Sequence, residues 1–324
     1  MPQTVLILSF SFEQEAEAGA LLRDGGFEPI VLPAADRAGW TERDLIAYWR
    51  ALPQKPAGLL TGADIPLGVD FVRAAEGLRA VSLNCAGSDH LDLAAFRAAD
   101  IPVCNVPRQN FDAVADFAWG LILSLMRRIP EGDRAIRAGR WCAGVERSMA
   151  VSRKTLGIIG FGAIGQAVAK RALGFDMRLL VSSTSRKPEL AERYGATYVE
   201  RERLFREADI VLPTCPLTPE THHLLNRDTL ALMKPSAVVV NPSRGGIVDT
   251  SALAEAIRGG RIAGAALDVY EEEPLLQSEL FALPNTVLTP HTAGLADREI
   301  HNVAMKAAEH MLRLLRGEAT HTEL

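Results

Sequence analysis

Short apolar runs alternate with amphipathic stretches along the first hundred residues. Residues 5–8, 29–32, 58–60, 78–83 and 101–103 read as strands, and 13–23, 41–52, 70–76 and 91–99 as helices. Parallel neighbours in a sheet need a crossover, usually a helix, so this alternation predicts a parallel sheet with helices on both faces. A second series begins at residues 155–159 and continues through 178–181, 210–212, 237–240, 263–267 and 286–288. One more helix is expected over 296–316, with Val303, Ala307, His310, Met311 and Leu314 on one stripe.

Between the two series, residues 112–128 predict a helix with Asp112 as N-cap and Arg127 and Arg128 at its C-terminal end. Val114, Phe117, Trp119, Leu121, Ile122, Leu123, Leu125 and Met126 cover most of its circumference. Such a helix must be buried on several sides, at the centre of a domain or under a second subunit, and a homodimer is the expectation.

A chain of 324 residues is long enough for two domains, each with its own core. The net charge of -5 leaves no footprint for nucleic acid or an anionic membrane. Residues 5–10 are apolar but lack a positive flank, so they read as a first strand and not as a signal peptide. The stretch 113–126 contains Asp116 and Gly120 and falls short of the roughly 20 residues a membrane span needs. Cys85, Cys104, Cys142 and Cys215 show neither metal-type spacing nor a disulfide framework, so no metal site and reduced thiols are expected, which suits a cytoplasm.

Three segments near the end of apolar runs carry the chemistry. Asn241-Pro242-Ser243-Arg244-Gly245-Gly246 ends on an arginine, Leu267-Asp268-Val269-Tyr270-Glu271-Glu272-Glu273-Pro274 on acids, and Leu288-Thr289-Pro290-His291 on a histidine. In open α/β sheets, ligands bind beyond the carboxyl ends of the strands. An arginine there can clamp a carboxylate, and a histidine beside a carboxylate can carry a proton near neutral pH.

Upstream, Gly160-Phe161-Gly162-Ala163-Ile164-Gly165 follows an apolar run and opens a helix over 166–173. That context makes it a dinucleotide fingerprint: Gly160 for a tight turn, Gly162 for close approach of a pyrophosphate, Gly165 for helix-strand packing. The next strand ends at Ser182-Ser183-Thr184-Ser185-Arg186-Lys187, where an NAD site usually carries an acid. An acid would repel a 2'-phosphate by about 4 kcal/mol at ~4 Å and intermediate dielectric. Its absence, with Ser183, Ser185, Arg186 and Lys187 in its place, favours NADP; the other reading is a solvated basic turn in an NAD enzyme.

These segments, with Cys215-Pro216-Leu217-Thr218-Pro219-Glu220-Thr221 and Met233-Lys234-Pro235, make a chain that resembles the D-isomer-specific 2-hydroxyacid dehydrogenase family, its glyoxylate and hydroxypyruvate reductase branch, along nearly its whole length. The resemblance implies two doubly wound parallel-sheet domains. A Rossmann nucleotide-binding domain, residues 106–291, would be inserted into a flavodoxin-like substrate domain, residues 1–105 plus 292–324. It implies that Arg244 binds the carboxylate of a small 2-oxo acid and polarises its carbonyl, that His291 donates the proton and that Glu273 pairs with His291. Asp268 would hold the nicotinamide carboxamide. Ala163, Ile164, Cys215, Pro216, Thr221, Pro242, Ser243 and Gly294 join the implied cofactor contacts. Cys85-Ala86-Gly87-Ser88-Asp89 matches the family's substrate loop, so backbone N–H groups near Ala86 and Gly87 would also hold the carboxylate.

Two departures stand out. Ser183 replaces the usual acid, and Phe117 stands where many relatives have histidine. Gly87-Ser88-Asp89-His90 resembles the formate dehydrogenase branch, but that branch pairs its histidine with glutamine, whereas position 273 is an acid. The rival expectation is a cofactor-sensing, corepressor-like binding protein on the same fold. Substrate choice is expected to lie in loops such as 59–64. His222-His223 reads as a solvated turn before a helix, and Cys215, with no base beside it, as a lining residue and not a nucleophile.

Overall fold

The computed structural model describes residues 2–62, 65–107, 109–141, 147–320 and 322–324, so Cys142 and the end of the 59–64 loop, Ala63 and Asp64, lie outside the described residues. The chain forms two compact units, Met1–Asn110 with Leu295–Leu324, and Phe111–Gly294.

The first unit is built on β1 (Gln3–Leu8), β2 (Phe27–Val31), β3 (Gly58–Thr61), β4 (Ala80–Leu83) and β5 (Val103–Cys104). They lie in the order β2-β1-β3-β4-β5, with every pairing parallel, the flavodoxin-like arrangement. Alternation along β1 feeds two cores. Val5 and Ile7 join Ala307 and Met311 of the helix Asp297–Leu315 on one face, and Leu6 and Leu8 join Trp49, Phe71 and Phe96 on the other. The helix comes so close over β3 that a Cβ on Gly58 would stand 2.5 Å from the Met311 sulfur. The single helix expected over 13–23 is two, Phe10–Gln14 and Ala16–Asp24. Glu15 is the joint, and its carboxylate is bound by His301 Nδ1 at 2.9 Å.

The second unit holds β6 (Thr155–Ile159), β7 (Arg178–Ser182), β8 (Ala196–Tyr198), β9 (Ile210–Pro213), β10 (Val238–Asn241), β11 (Gly264–Leu267) and β12 (Thr286–Leu288). Their order is β12-β11-β10-β9-β6-β7-β8, again all parallel, a Rossmann sheet whose direction of winding reverses between β6 and β9. β8 is an edge strand of three residues that the apolar pattern does not signal.

The apolar helix is Phe111–Met126, and its own unit covers it, through the helix Ala163–Ala172 and strands β10 to β12. Its burial therefore gives no argument for a second subunit. Asp112 is not its N-cap, because the helix already includes Phe111. Asp112 and Asp116 instead bind Arg171 of the neighbouring helix at 3.0 and 2.6 Å. No helix among the described residues is long and apolar enough to cross a membrane.

Candidate active site

Every polar residue proposed from the second half of the sequence stands at the carboxyl edge of the second unit's sheet. Gly160, directly after β6, has φ +92°, and a Cβ there would meet the Cys215 nitrogen at 2.9 Å. Gly165 is packed as tightly, with its notional Cβ 2.5 Å from the Gly160 carbonyl oxygen. Thr214 Oγ1 donates to that same oxygen at 2.7 Å, so the ends of β6 and β9 are locked together. Gly162 differs: a Cβ built there meets nothing within 4 Å. It is also the N-cap of the helix Ala163–Ala172, which has no side-chain cap and no acid in its first turn. Open space in front of free helix-terminal N–H groups, Ala163 and Ile164 among them, is a cradle for an anion, and it fits a dinucleotide pyrophosphate.

Beyond β7, Ser183 is half-buried and Ser185, Arg186 and Lys187 are exposed. Arg186 is not a free cation, since its Nη2 forms an ion pair with Glu200 Oε1. Lys187 donates its backbone N–H to the Tyr198 hydroxyl at 3.1 Å. Beyond β9, Thr221 folds the turn after Cys215-Pro216, accepting from Thr218 N and donating to the Pro216 carbonyl, both at 2.7 Å. Burial raises the Cys215 thiol pKa, opposed in part by a backbone hydrogen bond and the Arg201 charge, so its surroundings disfavour the thiolate.

Arg244 is presented by an Asn turn at the end of β10. Buried Asn241 accepts from Ser243 N at 3.0 Å and Ser243 Oγ at 2.8 Å, and its Nδ2 donates to the Arg244 carbonyl at 2.8 Å. Pro242 lies buried inside this turn. Gly245 must be glycine, because a Cβ would fall 1.8 Å from the Tyr270 carbonyl oxygen. That close approach sets the arginine turn against the segment carrying Glu273.

Asp268 is fully buried. It accepts from Thr289 Oγ1 at 2.6 Å, Thr292 N at 3.0 Å and Ala293 N at 2.8 Å, so it braces the loop that carries His291 and ends at Gly294. His291 is held with φ 54°, an uncommon conformation for a side-chain-bearing residue. Its N–H donates to the Asp268 carbonyl at 2.8 Å. His291 Nδ1 meets Glu273 Oε2 at 2.6 Å, while Glu273 Oε1 accepts from Tyr270 N at 2.9 Å. The Glu273 hydrogen bond is the largest cause of a raised His291 pKa; burial and the Arg244 charge pull the other way. The result is an imidazolium that persists to higher pH than a free histidine's, with a fixed cation near it.

Two features of this edge were not read from the sequence. Tyr270 Oη donates toward the Leu267 and Thr289 carbonyls at 3.1 and 2.8 Å, tying the ends of β11 and β12 together. The His222-His223 turn is no mere solvated turn, because His223 Nε2 meets Glu271 Oε1 at 2.6 Å and Glu271 Oε2 accepts from Thr250 N at 2.9 Å. Proximity to Arg244 through Gly246, whose carbonyl accepts from His223 N at 2.8 Å, is invisible to periodicity. Phe117 is half-buried and packs against the apolar core.

In the first unit, the Cys85–Asp89 segment follows β4 at the corresponding edge of its own sheet. Asn105 Nδ2 donates to the Ala86 carbonyl at 2.6 Å, and Cys85 Sγ to the Gly87 carbonyl at 3.2 Å, so the backbone of Ala86 and Gly87 is held from behind.

Comparison with known proteins agrees with this geometry. Residues 119–293 match the family described as D-isomer specific 2-hydroxyacid dehydrogenase, NAD binding domain. The glyoxylate reductase of Thermococcus kodakarensis is 44% identical over 260 residues, 77% of each chain. Among solved structures, the TT0316 protein of Thermus thermophilus is 34% identical with TM-score 0.84, over 99% of this chain and 100% of that one. D-lactate dehydrogenase of Aquifex aeolicus, solved with NAD and lactic acid, is 25% identical with TM-score 0.81, over 97% of this chain and 96% of that one. The chain belongs to the D-isomer specific 2-hydroxyacid dehydrogenase family and is an oxidoreductase that moves a hydride between a nicotinamide cofactor and a small 2-oxo acid.

Proposed function

We propose that the protein reduces glyoxylate or a 2-oxo acid of similar size, with Arg244, Glu273 and His291 as its working residues and NADPH as its preferred cofactor. The observation that carries the reading is the Glu273–His291 pair at the same sheet edge as Arg244 and the Gly162 cradle. When bound, the dinucleotide supplies the hydride for the carbonyl carbon. Arg244 binds the substrate carboxylate with two parallel hydrogen bonds and draws charge onto the carbonyl oxygen. Glu273 holds His291 by Nδ1, which leaves Nε2 to give its proton to that oxygen. The buried contacts of Asp268 support a task as brace for the His291 loop, with the carboxamide contact as a second one. A sensor that never turned substrate over would have no use for a paired acid histidine. A panel of 2-oxo acids, assayed with NADPH and with NADH by absorbance, tests the reading; no turnover with any of them would refute it.

The cofactor preference rests on the missing acid after β7. Ser183, Ser185, Arg186 and Lys187 offer hydroxyls and cations where a 2'-phosphate would lie. The Arg186–Glu200 pair is exposed on both sides, and such pairs are worth about 0–1 kcal/mol, so a phosphate can displace the glutamate. The expected preference for NADPH is at least about tenfold in kcat/KM, or ~1.4 kcal/mol. Ser183→Asp combined with Arg186→Ala reverses it, by adding repulsion and removing a partner. Equal use of both cofactors by the wild type would refute the preference and leave the reductase assignment standing.

A homodimer is supported by apolar side chains that the second unit leaves in solvent. Ile129 and Ile136 of the helix Ile129–Arg137 are 54% and 55% exposed, and Trp141 just beyond is 82% exposed.

A further inference from the structure

We propose that Glu200 sets the strength of the cofactor preference by competing with the 2'-phosphate for Arg186. The inference rests on the reading above, that the turn after β7 receives the adenosine ribose. In the parallel pairing of β7 with β8, Val181 stands opposite Tyr198. Ser183 and Glu200 are each two residues further on, so they leave the sheet at the same edge on adjacent strands. The Tyr198 hydroxyl joins the two turns, accepting from Lys187 N at 3.1 Å. The carboxylate that the end of β7 lacks is therefore supplied from one strand over, and Arg186 is bound to it.

This acid does not play the part of the usual one. A carboxylate directly after β7 would face the ribose itself, whereas Glu200 faces it across a guanidinium. With an unphosphorylated ribose, Glu200 and Arg186 neutralise each other. With a 2'-phosphate, two anionic groups claim one guanidinium, and the phosphate binds it only by displacing the carboxylate into solvent. Arg186 and Glu200 are exposed by 56% and 83% in their side chains, so either can swing away and the competition is one of affinity. The preference for NADPH is thereby held below what the basic turn alone would give.

The test is the ratio of kcat/KM with NADPH to that with NADH, measured for wild type, Glu200→Gln, Arg186→Ala and the double variant. Glu200→Gln is expected to raise the ratio up to about fivefold, the upper scale of the exposed ion pair that the substitution abolishes. Glu200→Lys, which reverses the charge, should carry it further in the same direction. In the Arg186→Ala background, the gain from Glu200→Gln should shrink to under about twofold, since the cycle isolates the pair. An unchanged ratio in both Glu200 variants would overturn the inference, as would a gain of equal size without Arg186. A wild-type preference for NADH would refute the NADPH reading alone, because the Glu200 assignment is judged by the change in the ratio and not by its starting value.

Discussion

His291→Ala is expected to lower kcat for 2-oxo acid reduction by at least about a hundredfold, the usual scale of lost general acid catalysis. The loss should fall on kcat more than on KM, because the proton is delivered as charge develops on the oxygen. The alanine variant should still bind the dinucleotide, since the Gly162 cradle and the lock between Gly160 and Thr214 do not involve residue 291. Fluorescence titration with the reduced cofactor separates the two effects. A variant that binds cofactor and turns over within about threefold of wild type would remove His291 from the chemistry.

Arg244→Ala should cost at least about a hundredfold in kcat/KM, through both constants. A guanidinium that clamps the carboxylate contributes to ground-state binding, and one that also faces the carbonyl oxygen contributes more as negative charge grows there. Arg244→Lys should recover little, because an ammonium is a point charge without the planar fork. The Asn241 contacts that shape the turn do not use the Arg244 side chain and survive both substitutions, although the guanidinium's own hydrogen bond to the Ser243 carbonyl at 2.8 Å is lost in the alanine variant. Equal kinetics for wild type and Arg244→Ala with glyoxylate would show that the carboxylate is held elsewhere.

Much of this site was legible because it is written in strand ends. A buried parallel strand is a short apolar run, so the residue that follows it lands at the carboxyl edge, and Gly160, Arg244, Asp268 and His291 could be placed by that rule alone. Edge strand β8, Ala-Thr-Tyr, has no apolar run to announce it. Missing it also hid Glu200, and with it the fact that Arg186 is paired. Glu15 at the helix break and Asp112 in the first turn of the apolar helix are bound by partners far along the chain, His301 and Arg171, which no local pattern encodes. Apolarity around that helix reported burial correctly but not what covers it. Tyr270 and the His223–Glu271 pair belong to the same class: their hydrogen bonds join segments that only the fold brings together.

The most direct test of the Glu273–His291 assignment is the pH dependence of kcat/KM for reduction, measured on wild type and on Glu273→Gln. His291 must be protonated to donate, so activity is full below its pKa and falls as pH rises through it. Because Glu273 raises that pKa above the ordinary 6.5, the wild-type descent should lie above pH 6.5. Replacing the carboxylate by an amide removes its main cause, and the descent should move to lower pH, with the Asp268 charge left to oppose burial and the Arg244 charge. Superimposable profiles for the two enzymes would contradict the pairing of Glu273 with a catalytic His291.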